Sequence, residues 1–394
     1  MISSLHGLYD DRIYWKEALS LKRNGYDVIH LGVGDEDLDL ISEEGIRLMQ
    51  VKRKKYFGNP YIDIVYKNLS FRPSIYKKLF KICLRLKADV YHFHDVQINR
   101  IGPALKKLEH RPEVIYDVHE DYYEQVMVSA PAGIARIFFR IYALCLRRNE
   151  LRKSRHYDAI ITVVPHIAEY FRKVVDPVKV HLIYNFTTMK PGGYLPYEEK
   201  TWDAIYSGMI NNVRGGMEII KAAALIKKEI PSVKILLVGP VPDPSYRQRL
   251  ESLIGEFGLE DNVLLKRSVP YADMESLLQQ SRIGLGIFMP VSIFEFGIQV
   301  KTFEYMICGL PVVCSNTGNI SRIVTENKAG LTVDPHFPVE IAAAITTLIK
   351  DHALYNTLRT NAISAANAKY HWGSEEKKLT GIYRTLCPLS NYPI

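Results

Sequence analysis

Nowhere in the 394 residues do about 18 apolar side chains run together, so no membrane-spanning helix is expected. The opening residues, Met1-Ile2-Ser3-Ser4-Leu5-His6, lack the basic-then-apolar layout of a secretory leader. Cysteine is scarce, with five scattered residues (Cys83, Cys145, Cys308, Cys314, Cys387) and no CxxC spacing. That excludes a disulfide framework and a zinc ribbon; reduced, mostly buried thiols in a cytosolic chain are expected instead. No Walker loop, internal repeat or nucleic-acid reader motif occurs, so the basic balance alone gives no reason to expect nucleic acid as a partner. An acidic excess is also missing. The formal net charge is +8, from 31 Lys and Arg against 23 Asp and Glu in residues 1–190 and 20 of each thereafter. A basic first half suits an anionic membrane surface or a lipid-linked phosphate.

What is present fills two domains, because 394 residues with 47% apolar content exceed one ordinary core. Leu5 to Arg12 is expected to hold the first strand and its turn. Glu17-Ala18-Leu19-Ser20-Leu21 then reads as helix, Gly25 as its stop and Tyr26-Asp27-Val28 as the next strand. Residues 72–87 set Lys77, Lys78, Lys81, Arg85 and Lys87 among Ile75, Leu79, Ile82 and Leu86, a basic helix. Ala88 to Asp95 reads as a strand whose alternation places His92 and His94 on one face. Two histidines raise the possibility of zinc, but no third ligand lies nearby in sequence, and no metal is expected. Glu113 to Glu120 is another strand end, where ligands of open parallel sheets gather. His119 there is either a reactive group or a loop histidine capping backbone. From Gly133 to Tyr157, Ile134, Ile137, Phe138, Ile141, Leu144 and Cys145 follow helical spacing, with Arg136, Arg140 and Arg147 on another side. Such a helix either lies on an anionic bilayer or is an ordinary domain helix with a solvated cationic face. Strands follow at 159–163 and 178–185, and residues 187–200, with Gly192-Gly193, Pro191 and Pro196, have linker composition.

The second half repeats the strand–loop–helix pattern. Asp203 to Gly208 is a strand with a glycine stop, and Arg214-Gly215 heads a helix. Residues 233–240, 262–270 and 283–288 hold further strands. The densest pattern is Phe294 to Ser315: a loop containing Gly297, a helix marked by Phe303, Met306 and Ile307, then Gly309-Leu310-Pro311 and the buried strand Val312-Val313-Cys314. Lys301 and Glu304 share one face of that helix. A cation beside free amides suits a phosphate, and a carboxylate one turn on suits ribose hydroxyls. The spacing alone also allows a surface helix with an ordinary ion pair.

Lys301-Thr302-Phe303-Glu304-Tyr305-Met306 with Gly309-Leu310-Pro311-Val312-Val313 resembles the donor-binding segment of family 4 retaining glycosyltransferases. The resemblance implies an α/β GT-B architecture, two facing Rossmann-like domains with the active site in the interdomain cleft. The expected N-terminal acceptor domain spans 1–188, with the final helix at about 374–394 packing back on it, and the donor domain spans 189–373. In the family two glutamates are separated by seven intervening residues. Glu304 matches the second; Phe296 falls where the first belongs, with Glu295 one position off. The family's Gly-Arg and later cation are represented by Gly208, with Met209 in place of the arginine, and by Arg214. The paired glycines of the family's first loop are replaced by Asp10 and Asp11. Tyr116-Asp117-Val118-His119-Glu120 is similar to the acceptor-side segment whose histidine lies near the transferred sugar.

By that resemblance His119 is the catalytic candidate. Arg214, Lys301, Glu304, Gly208 and Thr302 are expected to bind the donor, with Glu295 and Gly297 beside them. Asp11, His94 and Glu120 would face the acceptor. The implied activity is transfer of a sugar from a nucleotide-diphosphate sugar to a glycan or lipid-linked hydroxyl, with retention, in cell-surface polysaccharide or glycolipid synthesis. No cofactor or metal is implied. A cytoplasmic place, peripheral on the inner membrane face through residues 72–87 and 133–156, is expected. A nucleotide-sugar epimerase of the same fold and a non-catalytic sugar-nucleotide-binding protein remain alternatives.

Overall fold

The computed structural model describes residues 1–53, 73–94, 96–128, 130 and 133–389. The chain forms two compact units, Met1–Asn185 with Gly373–Ile394 and Phe186–Trp372. Part of the C-terminal tail, part of the basic helix at residue 72, and Asp95 lie outside the described residues.

The first unit carries β1 (Ile29–Gly34), β2 (Leu38–Ile41), β3 (Arg47–Lys52), β4 (Val90–His94), β5 (Glu113–Val118), β6 (Ala159–Thr162) and β7 (Val180–Leu182). β4 to β7 pair in parallel in sequence order, β1 pairs with β3 in parallel, and β2 lies antiparallel on β3. The first strand is not in Leu5–Arg12. Met1 to Ser3 instead lace β1 to β4, with Ile2 N–H donating to His92 O, His94 N–H to Ile2 O and Ser3 N–H to Leu31 O. Ile2 is the apolar residue that can be buried on both sides at that point (2% exposed), whereas Leu5 to Arg12 is mostly polar and turns. After the turn comes a six-residue π-helix, Ile13–Ala18, which passes into the α-helix Leu19–Arg23. Wider π turns are concentrated at functional sites; this one turns Arg12, Lys16 and Glu17 inward, all buried.

In the second unit six parallel strands, β8 (Trp202–Ser207), β9 (Ile235–Val238), β10 (Val263–Lys266), β11 (Ser281–Gly286), β12 (Val312–Ser315) and β13 (Gly330–Val333), take the order β10-β9-β8-β11-β12-β13. This is the doubly wound order, with its switch point between β8 and β11. Central strands buried on both faces need unbroken apolar runs, and Ile235-Leu236-Leu237-Val238 is fully buried. Loops at the carboxyl ends come very close. Gly239 has φ 149°, and a Cβ there would meet the Gly208 carbonyl oxygen at 2.0 Å, so only glycine fits.

Among the cysteines, Cys83, Cys308 and Cys314 are buried, but Cys145 is exposed and Cys387 half-exposed. The helix Pro73–Leu86 turns Ile75, Leu79 and Cys83 into the core and leaves Lys77, Lys78, Lys81 and Arg85 in solvent. The 21-residue helix Ile134–Ser154 is different, because only Ala143, Glu150 and Ser154 are buried. Glu150 lies under β5, where Tyr116 Oη donates to its carboxylate. Burial raises its pKa from 4.5 to about 7, against the opposing pull of that hydrogen bond. Between the unfolded value and about 7 the folded chain keeps a proton that the unfolded chain releases. The stabilisation is therefore complete below the lower value and lost as pH rises through the upper one. The melting temperature of the wild type is expected to fall by a few degrees more than that of Glu150→Gln across this window. Calorimetry at stepped pH checks it, and parallel curves would refute it.

Candidate functional site

In the second unit, candidate residues collect at the switch point, on the loops leaving β8 and β11. The helix Val300–Ile307 begins there after Gln299, and Thr302 to Ile307 are all buried. Lys301 does not pair with Glu304. Its Nζ is enclosed, 3.8 Å from the centre of the Tyr206 ring and 5.4 Å from that of Phe288, and has no hydrogen-bond acceptor. Burial, with Arg214 nearby, pulls its pKa well below the usual lysine range, and Glu304 only partly opposes this. Taking an ammonium out of water costs several kcal/mol, while a desolvated cation–π contact returns about 2. The deficit suits an anion drawn to the lysine. Arg214, ahead of the helix Gly216–Lys227, lies over Phe294 at 5.4 Å and adds a second positive charge.

Glu304 is 8% exposed and accepts a hydrogen bond of 3.0 Å from Tyr271 Oη. Sequence reading did not single out Tyr271, which opens a helix 33 residues earlier. Thr302 is fully buried, and its hydroxyl lacks a partner. Gly208, at φ 109°, lies beside the Lys301 side chain. Glu295 is exposed on the short helix Ser292–Phe296, and among the described residues no hydrogen bond or ion pair joins it to Lys301 or Glu304. Gly297 is half-buried in the loop that follows.

In the first unit, β4 and β5 end side by side, with His94 opposite Asp117 in register. His92 and His94 do share a face, their rings 4.6 Å apart. Asp117 Oδ2 accepts from His119 Nε2 at 2.9 Å and from Arg12 Nε at 3.1 Å, with His94 Nδ1 at 3.3 Å. Arg12 Nε is also 2.9 Å from Glu17 Oε1. Burial works against the Asp117 charge, but Arg12 and His119 outweigh it and hold the pKa well below the usual range. Glu17 goes the other way, raised well above its usual value by burial against the pull of Arg12. Burial also keeps His92 far below the ordinary histidine value.

The ligand-type atoms of Glu17, His92, His94 and Asp117 lie within 4.8 Å of one another. Tertiary structure thus brings His92 and His94 the third and fourth partners that sequence spacing did not show. The positive charge in this cluster comes from Arg12, which pairs with Asp117, and burial disfavours the charged forms of His92 and Glu17. His119 sits at the rim, its side chain 11% exposed, and among the described residues its hydrogen bonds are made through Nε2. Asp11 is exposed and accepts from Lys16 Nζ, which also donates to Asn185. Glu120 is exposed. Arg12, Glu17, His6 and Asp10 were not legible as site residues. Helical periodicity of 3.6 misplaces Glu17 on the π turn, and the partners of Arg12 and Glu17 on the neighbouring strands, Asp117 and His92, lie 105 and 75 positions away.

The family model described as "Glycosyltransferase Family 4" matches residues 12–189, and "Glycosyl transferases group 1" matches residues 195–365. An alpha-D-kanosaminyltransferase of Streptomyces kanamyceticus is 27% identical over 46% of this chain and 45% of its own length. A D-inositol 3-phosphate glycosyltransferase of Paenarthrobacter aurescens is 27% identical over 37% and 35%. The match therefore spans less than half of these relatives. Among solved structures, a sucrose-phosphate synthase from Thermosynechococcus elongatus superposes with a TM-score of 0.73 at 19% identity, covering 98% of both chains. Anabaena Alr3699/HepE in complex with UDP-glucose gives 0.65 at 14% identity over 98% and 99%. Matched by the two models over successive stretches, and sharing the GT-B fold of these neighbours, the chain belongs to glycosyltransferase family 4.

Proposed function

We propose that this protein transfers a sugar, with retention, from a nucleoside-diphosphate sugar to a hydroxyl of a glycan or lipid-linked acceptor, in cell-surface polysaccharide or glycolipid synthesis. The observation that carries the reading is the enclosed Lys301 side-chain nitrogen, without an acceptor among the described residues, one helical turn from the nearly buried carboxyl of Glu304. Lys301 and Arg214 would neutralise the departing diphosphate without a metal, which is electrostatic stabilisation where charge develops. Glu304 would exchange its bond to Tyr271 for ribose hydroxyls. His119, braced by Asp117, would present Nδ1 to the sugar or the acceptor hydroxyl. HepE was solved with UDP-glucose, so that donor heads the screen, followed by GDP- and ADP-sugars.

The acceptor's class is argued from the helix Ile134–Ser154. Ile134, Ile137, Phe138, Ile141 and Leu144 are all exposed, with Arg136, Arg140 and Arg148 exposed among them. Arg147 is not part of that surface, because it stacks on Tyr123 and Tyr170 and pairs with Asp121. None of the described helices is long and apolar enough to cross a membrane. Apolar side chains interleaved with arginines fit an anionic bilayer surface, each arginine adding about 1 kcal/mol. The Pro73–Leu86 helix, with its apolar side packed, can add only charge. We place the enzyme on the inner face of the cell membrane.

Melting-temperature shifts across UDP-, GDP- and ADP-sugars should reveal one donor class. Glu304→Ala is expected to abolish the shift, and an undiminished shift would remove its ribose role. His119→Ala should keep the shift but lose transfer by at least about a hundredfold. Ile137→Asp with Phe138→Asp should release the protein from phosphatidylglycerol vesicles in flotation assays without changing the donor shift. Equal flotation of wild type and variant would end the membrane assignment.

A further inference from the structure

We propose that Glu17, His92 and His94 form a site in the first unit for one divalent cation of the zinc class, with Asp117 as the outer partner that orients His94. The proposal does not depend on the transferase reading, and the diphosphate chemistry assigned to Lys301 and Arg214 does not call on it. All four side chains are at most 1% exposed, and their ligand-type atoms lie within 4.8 Å of one another. β4 places His92 and His94 on one face, with ring centres 4.6 Å apart. Glu17 reaches them from the π-helix, where its N–H donates to Arg12 O at 2.9 Å across the wider turn. Among the described residues neither Glu17 Oε2 nor His92 Nε2 has a hydrogen-bond partner. Buried polar atoms without partners are rare in a folded protein, and these two lie 3.8 Å from each other.

The spacing is too long for hydrogen bonds and close to that of ligands around one ion. Glu17 Oε2 lies 3.8 Å from His92 Nε2 and 4.0 Å from His94 Nε2, beyond the range of a shared proton. Around a tetrahedral zinc with bonds of about 2.0–2.1 Å, neighbouring ligand atoms stand about 3.3 Å apart. Small side-chain movements therefore close the site. Both imidazoles are already turned for the task. His92 Nδ1 is 3.0 Å from Tyr383 Oη, and His94 Nδ1 is 3.3 Å from Asp117 Oδ2. A proton on each Nδ1 serves these contacts and leaves the Nε2 lone pair for a metal. Asp117 Oδ2 also accepts the His119 Nε2–H at 2.9 Å, which accounts for the 3.2 Å approach of His94 Nδ1 to His119 Nε2. Arg12 opposes a cation, but its Nε lies on the other oxygen of Glu17, Oε1, at 2.9 Å, and on Asp117 at 3.1 Å. Two carboxylates against one guanidinium leave the ionised cluster net negative, as a cation site requires. Two imidazole nitrogens with one carboxylate oxygen suit zinc-like ions, whereas magnesium and calcium take oxygen ligands.

The test uses the full chain, made without an affinity tag in medium supplemented with Zn²⁺ or, separately, Co²⁺, and passed over a chelating resin. About one ion per chain should remain by elemental analysis, and the Co²⁺ form should show the intense visible bands of a tetrahedral site. Glu17→Gln and His92→Gln should each lose the ion and the bands, while His119→Ala, outside the ligand set, should keep both. The metal-replete wild type should melt several degrees above wild type grown in chelated medium, a difference absent from Glu17→Gln. Should the ligand variants fail to fold, the cobalt spectrum of the wild type decides alone. A wild type that retains no stoichiometric metal would overturn the site, as would the weak bands of a six-coordinate oxygen site. Retention by both ligand variants would overturn it as well. So would loss from His119→Ala with retention in His92→Gln, because the ion would then belong to the rim.

Discussion

A guanidinium almost wholly removed from water has to find its counter-charge within the fold, and Arg12 finds it in Asp117, with the carboxyl of Glu17 also 2.9 Å from its Nε. The consequences spread outward from that pairing. Asp117 is ionised because Arg12 stands beside it, and an ionised Asp117 can fix the ring of His119. Only one of two adjacent buried carboxylates is compensated, so Glu17 is pushed toward its neutral form, and burial likewise disfavours the charged form of His92. Removing one member of such a group leaves charge stranded in a low-dielectric interior, which costs more than the intact group contributes. Arg12 therefore serves geometry at the rim, where chemistry needs a ring in one orientation and one tautomer.

The second unit applies the opposite strategy. There a cation is buried without a full partner, and the aromatic faces of Tyr206 and Phe288 return only part of the desolvation cost. In the first unit charge is compensated and side chains are locked. In the second unit compensation is incomplete, which favours an anionic ligand. A transferase requires both, a fixed nucleophile side and a leaving-group side that gains most when negative charge develops. Each group occupies the carboxyl ends of parallel strands in its own unit, and the Lys301 group lies beside the point where strand order reverses in the six-stranded sheet. Peptide dipoles and loop amides converge at such ends, and helices and strands no longer satisfy them.

Much of this was open to reading in the chain. Val312-Val313-Cys314 and Ile235 to Val238 announced buried parallel strands because only such strands need apolar residues on both faces. Gly309 and Pro311 bounded the helix of Lys301 and Glu304, and the resemblance carried by that segment named the fold. The segments that misled were those where local rules have little force. Met1 to Ser3 carry two apolar residues, too few for a strand signal, yet backbone hydrogen bonds on both sides hold them between β1 and β4. The π-helix defeats a periodicity of 3.6. Arg147 looked like one more cation on a basic helix, and its capture by Asp121 and two tyrosines depends on residues 23 to 26 positions away on other elements.

By itself the sequence determined two α/β units, the helix bearing the donor candidates, and an arginine-rich amphipathic helix whose packing it left open, because periodicity, glycine stops and apolar runs act over a few residues. Tertiary structure alone decided which charges would be paired. It placed Arg12 between Glu17 and Asp117, set His6 against His119, and left Lys301 on an aromatic face instead of on Glu304. The physical reason is range: hydrogen bonds and desolvation are settled by neighbours in space, and in this chain those neighbours are often a hundred residues apart.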